Sequence, residues 1–223
     1  MKNLVSFDLD GTLADTAGEI AEAVNRALAE HGLPRRGLEE IAALIGAGSH
    51  TLMQRLLERL RAEQPEIRID ERAVLRSLDI HYAVTAGTSA RTYPGAEDAL
   101  RSLKAAGVRL ACVTNKEHRH AVRVLQRLHL AEWFDMVVGG DSLPQKKPDA
   151  RVLQHVSRVL GCAPARAAHI GDSRIDVEAA RNAGLAAWAV PYGYNAGEPI
   201  EDARPDRLFP DLRAAAQHAL DTS

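Results

Sequence analysis

The sequence predicts an α/β fold: a parallel sheet core covered by helices, with a helical domain inserted near its start. Three observations predict it. Short, nearly continuous apolar runs recur along the chain, as strands buried on both faces require. Amphipathic helical patterns alternate with the later runs, as parallel strands joined by crossovers require. A long stretch that reads only as helices separates the first run from the second.

The strands are expected at 4–7, 108–113, 136–138, 167–170 and 185–190. Between the later ones, helices are expected at 96–106, 121–129, 150–160 and 177–183. The first of these begins after Pro94-Gly95 and stops at Gly107, and the last two stop at Gly161 and Gly184. Glycine is favoured just past a helix end because it alone adopts the left-handed conformation freely. In the long intervening stretch, Ile20, Ala23, Val24, Ala27 and Leu28 form one apolar stripe that stops at Gly32. Residues 51–60 carry a second stripe through Leu52, Leu56, Leu57 and Leu60, and 70–83 read as a third helix with Asp70 as N-cap. A crossover needs only a dozen or so residues. A block this long is therefore expected to be a domain of its own, 16–88, leaving 1–15 and 89–223 as the core. After Pro199, an apolar pair at Leu208-Phe209 precedes a final helix at 212–220.

Composition narrows the functional classes. The chain has 223 residues, 46% hydrophobic and 26% charged, which suits a packed core and not a disordered chain. Lys plus Arg is 28 against 30 Asp plus Glu, a formal charge of -2, so no basic excess marks a duplex nucleic-acid binder. Aromatics are 4%, too few for a base-stacking platform. Cys112 and Cys162 are far apart and are expected to be small buried thiols in a reducing compartment. No run approaches the length that spans a bilayer, and the N-terminus reaches Asp8 too early for a secretion signal. The expected setting is cytoplasmic, with no membrane or nucleic-acid partner, as a monomer or homodimer.

Chemistry-bearing residues gather at strand ends, where open α/β sheets bind ligands. Asp8-Leu9-Asp10-Gly11-Thr12 follows the first strand. Two carboxylates two residues apart leave an extended chain on one side and repel unless something compensates them. Alone, such an acidic turn is equally a solvated loop. Thr114 and Asn115 end the second strand, offering a hydroxyl and an N–H to an anion. Lys146-Lys147-Pro148 follows the third, as phosphate ligand or exposed charged pair. Gly171-Asp172-Ser173 ends the fourth, with Asp176 beyond. Ser173 suits a helix N-cap, and Asp176 suits a first-turn acid. The remaining acids and the nine histidines are expected on the solvated surface.

These four stretches, in this order, resemble the motifs of the haloacid dehalogenase (HAD) superfamily across nearly the whole chain. The resemblance implies a HAD-like, Rossmann-like core, with 16–88 as a helical cap that closes over the site about hinges near Thr16 and 88–92. It implies that Asp8 is a nucleophile forming an aspartyl-phosphate, and that Asp10 is the acid and base. It implies Mg2+ as cofactor, held by Asp8, Asp172 and the Asp10 carbonyl, with Asp176 and Ser173 supporting. Thr114, Asn115 and Lys147 would hold the phosphoryl oxygens.

The second aspartate sets this pattern apart from the dehalogenases of the superfamily. The absence of lysine from 16–88 sets it apart from the Schiff-base phosphonate hydrolases. Further stretches resemble the bacterial phosphoglycolate phosphatases, notably Ile45-Gly46-Ala47-Gly48, Tyr93-Pro94-Gly95-Ala96 and Tyr192-Gly193-Tyr194-Asn195. The implied substrate is a small phosphate monoester, foremost 2-phosphoglycolate. Other sugar or amino-sugar phosphates, and a β-phosphoglucomutase-like isomerisation, stay open. Cap specificity is expected from Gly48, at a glycine-rich helix start, and from Arg55. The plainer reading of that start is a turn with Ser49 as N-cap.

Overall fold

The computed structural model describes residues 1–221. The chain opens with strand β1 (Leu4–Phe7) and a short strand β2 (Ala14–Asp15). Four helices follow: α1 (Ala17–Glu30), α2 (Leu38–Ala42), α3 (Ser49–Glu63) and α4 (Glu71–Thr85). Strand β3 (Arg91–Thr92) pairs antiparallel with β2, so the chain leaves for the helical block and returns from it at one two-stranded ribbon. From there the order is α5 (Ala96–Ala105), β4 (Arg109–Val113), α6 (His118–Arg127), β5 (Met136–Val138) and α7 (Ala150–Val159). Next come β6 (Ala167–Gly171), α8 (Arg174–Ala183), β7 (Ala186–Ala189), β8 (Arg207–Leu208) and α9 (Leu212–Asp221).

Six strands form one parallel sheet in the order β5-β4-β1-β6-β7-β8. Strand β1 lies between β4 and β6, with Phe7 in register with Cys112 on one side and Ile170 on the other. The chain steps outward from β1 in both directions, and such a switch point opens a crevice at the carboxyl strand ends. The inner strands are buried at nearly every position, which is why their sequences show continuous apolar runs rather than alternation. The expected parallel sheet is present. Its elements and those of the helical block agree with expectation to within three residues, the widest departures being the early starts of α6 and α8 and the late end of α3. The helix α2 and the β2–β3 ribbon were not anticipated; both are too short to show a period.

The helical block is tied together by its apolar stripes. Ile20, Val24 and Leu28 of α1 and Val74, Leu78 and Tyr82 of α4 are buried against one core. Asp70 caps α4 as expected, its carboxylate accepting the Ala73 N–H at 3.0 Å. Cys112 is buried, but Cys162 is only half-buried, a departure from the expected buried pair. Among the described residues, no helix is long and apolar enough to cross a membrane.

Candidate active site

The carboxyl ends of β1, β4 and β6 bring the acidic residues together. Asp8 directly follows β1 and donates its N–H to the Ile170 carbonyl at 2.9 Å. Ligand oxygens of Asp8, Asp172 and Asp176 lie within 4.8 Å of one another, and all three residues are buried. Gly11 makes this possible: its φ is +89°, and a Cβ there would overlap the Asp172 carboxylate.

Lys147 sits among these acids. Its Nζ lies 2.6 Å from Asp176 Oδ1 and 3.0 Å from Asp8 Oδ1, and donates to the Val113 carbonyl at 2.7 Å. The Asp8 contact is within ion-pair range but off the hydrogen-bond line, so Asp8 Oδ1 has no aligned donor. Asp172 accepts from the Thr12 hydroxyl at 2.8 Å and the Tyr194 N–H at 2.7 Å. Asp176 Oδ2 accepts from the Ser173 N–H at 3.1 Å and the Ser173 hydroxyl at 2.5 Å, closing the first turn of α8. Asp176 is therefore both a first-turn acid of α8 and an ion-pair partner of Lys147.

With all three ionised, the carboxylates would exceed the one ammonium by two negative charges. Burial pushes the Asp8 carboxyl up to about 7, against the opposing pull of Lys147 and with help from Asp176 and Asp10. Burial likewise raises Asp172 to about 8, with Asp176 and Asp8 adding to it. Asp176 goes the other way: burial works against ionisation, but Lys147 and His169 hold it well below the usual carboxylate range. An all-oxygen donor set, a doubly negative excess and an acceptor without a donor fit a small hard divalent cation.

Asp10 points to a different set of partners. Its Oδ1 accepts from the Thr16 hydroxyl at 2.6 Å and from Lys116 Nζ at 2.7 Å. Lys116 is buried, and its ammonium also lies 3.6 Å from Glu19 Oε1 and 5.1 Å from the centre of the Tyr82 ring. Burial alone would lower the Lys116 ammonium, but Asp10, Tyr82 and Glu19 together hold it above its ordinary value.

A narrow recess of about 20 Å³ opens over these groups. Asp8, Asp10, Thr114, Asn115 and Lys116 line its floor. Gly48, Ser49 and Leu52 of the α3 start and Tyr82 of α4 line its roof. Asn115 ties floor to roof, its Nδ2 donating to the Gly46 and Lys147 carbonyls at 3.0 Å each.

Four expectations are corrected. Arg55 lies away from the recess: it is exposed and borders a separate hollow beside Ser173, Arg174 and Asn195. The inward face of α3 is set by Leu52, Met53, Leu56 and Leu57, which leaves Arg55 on the outer side. Ser49 is the first residue of α3 rather than its N-cap, which is Gly48, and the Ser49 hydroxyl donates to Glu117 at 2.7 Å. The acids are not all solvated, because Glu19 is 1% exposed. The histidines are not all at the surface: His169 faces Ser6 and Asp176 with its two ring nitrogens, and His120 packs on Tyr82.

Lys116 and Glu19 are the residues that sequence reading missed. Glu19 falls in register with Ala23 and Ala27 on the apolar stripe of α1, and an acid on a buried face signals a partner. His169 stands inside an apolar run of a central strand, where no face reaches water.

A haloacid dehalogenase-like hydrolase family model matches residues 2–184. A phosphoglycolate phosphatase of Pseudomonas syringae pv. tomato is 39% identical over 223 residues, covering 99% of this chain and 81% of the relative. One of Thiobacillus denitrificans is 38% identical over 212 residues, covering 95% and 93%. The crystal structure of a predicted phosphoglycolate phosphatase from Haemophilus somnus superposes with a TM-score of 0.92 at 32% identity, covering 97% of each chain.

Proposed function

The chain belongs to the haloacid dehalogenase-like hydrolases and is a phosphoric monoester hydrolase; from that premise, we propose that it hydrolyses 2-phosphoglycolate to glycolate and phosphate through an aspartyl-phosphate. The observation that carries the mechanism is the buried cluster of Asp8, Asp172 and Asp176 around Lys147, at the switch point of the sheet. The substrate rests on relatives of that name at 38–39% identity.

In this reading Asp8 attacks phosphorus through a carboxylate oxygen. The P–O bond to the glycolate oxygen breaks, and Asp10 delivers its proton to that oxygen. Asp10 then takes a proton from water as the water attacks phosphorus, and Asp8 is released with inorganic phosphate. Lys147 holds a phosphoryl oxygen as a point charge while neutralising Asp176. The Thr114 hydroxyl and the Asn115 N–H orient the remaining oxygens. Asp8 and Asp172 would hold Mg2+ through their carboxylates and Asp10 through its carbonyl. When bound, the ion supplies positive charge against the phosphoryl oxygens. The block 16–88 acts as the cap that excludes water from this chemistry.

The test is a phosphate-release screen over small phosphate esters, with and without Mg2+. The expected result is release that depends on Mg2+, with the highest kcat/KM on 2-phosphoglycolate. Asp8→Asn should lower kcat by at least about 10⁴-fold, because in this reading Asp8 supplies the oxygen that takes the phosphoryl group. A higher kcat/KM on a sugar phosphate would overturn the substrate. Isomerisation without phosphate release, or wild-type turnover by Asp8→Asn, would overturn the mechanism.

A further inference from the structure

We propose that Lys116 is a positioning residue for the leaving-group acid: it ties the Asp10 carboxylate to Glu19 and Tyr82 of the inserted helices, so that Asp10 is correctly aimed when those helices cover the site. The inference rests on the phosphatase reading above, in which Asp10 protonates the leaving oxygen.

The geometry argues for positioning rather than substrate binding. Lys116 comes from the loop between β4 and α6, on the sheet side of the recess. Its ammonium has three neighbours: Asp10 Oδ1 at 2.7 Å, Glu19 Oε1 at 3.6 Å and the Tyr82 ring at 5.1 Å. Glu19 belongs to α1 and Tyr82 to α4, so one lysine spans the catalytic edge and two helices of the inserted block.

Glu19 is itself anchored. Its Oε2 accepts the Gly87 N–H at 2.7 Å, and its carbonyl accepts from the Thr85 hydroxyl at 3.0 Å. Its Oε1 has no hydrogen bond, and among the described residues Lys116 is the only cation paired with it. Separating the buried Glu19 carboxylate from this cation leaves it uncompensated, so the pair couples strongly to helix position.

On the other side, Asp10 Oδ1 takes two short bonds, from Lys116 at 2.7 Å and from the Thr16 hydroxyl at 2.6 Å. An oxygen that already accepts two donors is a poor site for the transferable proton, so that proton belongs on Oδ2. Fixing Oδ1 thus fixes which oxygen meets the leaving group. Geometry of this kind governs general-acid efficiency.

The test compares two esters by kcat/KM, which reports the steps through loss of the alcohol. 2-Phosphoglycolate expels an alkoxide and needs the proton. p-Nitrophenyl phosphate expels a phenolate that leaves unprotonated. Lys116→Met should lower kcat/KM on 2-phosphoglycolate by about 100-fold or more, and on the aryl ester by less than about fivefold. Glu19→Gln should move the same ratio in the same direction by about tenfold. The double variant removes the Glu19 charge together with the lysine that compensates it, so it keeps the comparison available if Lys116→Met alone does not fold; its ratio should match that of Lys116→Met. Equal losses on both esters in the single and double variants would overturn the proposal. Failure of the wild-type enzyme to hydrolyse either ester would instead overturn the phosphatase reading.

Discussion

Lys147 carries the heaviest electrostatic duty of any single residue in the site. It is 2% exposed and faces two carboxylates at 2.6 and 3.0 Å, with a strand-end carbonyl closing the third side. Removing one partner of a buried charge group costs far more than a surface ion pair contributes. Lys147→Met should destabilise the metal-free protein by about 3–5 kcal/mol, read by urea unfolding in chelator. A loss below about 1 kcal/mol would show that Lys147 is not what compensates Asp8 and Asp176. The residues gathered at the strand ends were legible at this scale because Asp8, Thr114, Lys147 and Asp172 each follow a strand or loop whose apolar run or glycine is plain in the sequence. Lys116 and Glu19 were not legible. Their burial depends on α1 and α4 meeting the loop after β4, a contact between segments distant in sequence that no local pattern encodes. Arg55 was misread for a related reason: proximity to a glycine-rich helix start does not say which face of the helix turns inward.

At the scale of elements, periodicity located the helices and punctuation located their ends. The stripe Leu52, Leu56, Leu57, Leu60 marked α3, and Asp70 marked the start of α4. Boundaries slipped where a helix begins with polar residues. The first turn of α6 is His118-Arg119-His120, and that of α8 opens on Arg174; neither shows an apolar period. Helix α4 also makes a prediction of its own. Its N-cap is an exposed side-chain bond, from the Ala73 N–H to Asp70 at 3.0 Å, remote from the recess. Asp70→Ala should therefore cost about 1 kcal/mol in unfolding free energy and leave kcat/KM unchanged. A fall in activity larger than about twofold would mean that the end of α4 bearing Asp70 is coupled to the Tyr82 end, 12 residues along the same helix.

At the scale of the molecule, groups from residues 8 to 194 converge on one point because β1 is flanked on both sides by strands from later in the chain. The formal charge of -2 is spread over the chain, yet three carboxylates and one ammonium are concentrated in a single buried cluster among the described residues. That concentration links stability to pH and to metal. Asp8 and Asp172 are raised to about 7 and about 8 by burial, so the metal-free fold binds protons that the unfolded chain, with ordinary carboxylates, has already released. A group raised in the fold contributes stability that is full below its unfolded pKa and is lost as pH rises through the folded one. Asp176 is lowered, so its contribution changes only under acidic conditions and leaves this window undisturbed. In chelator, Tm should therefore fall as pH rises from about 6 to about 8.5. Held by these carboxylates as proposed above, Mg2+ would displace those protons and stabilise only the folded state, so the Tm increase it produces should grow over the same interval. Asp172→Asn removes one of the titrating groups and should flatten both trends. A Mg2+-induced increase that stays constant or shrinks with rising pH would show that the ion does not bind at this cluster.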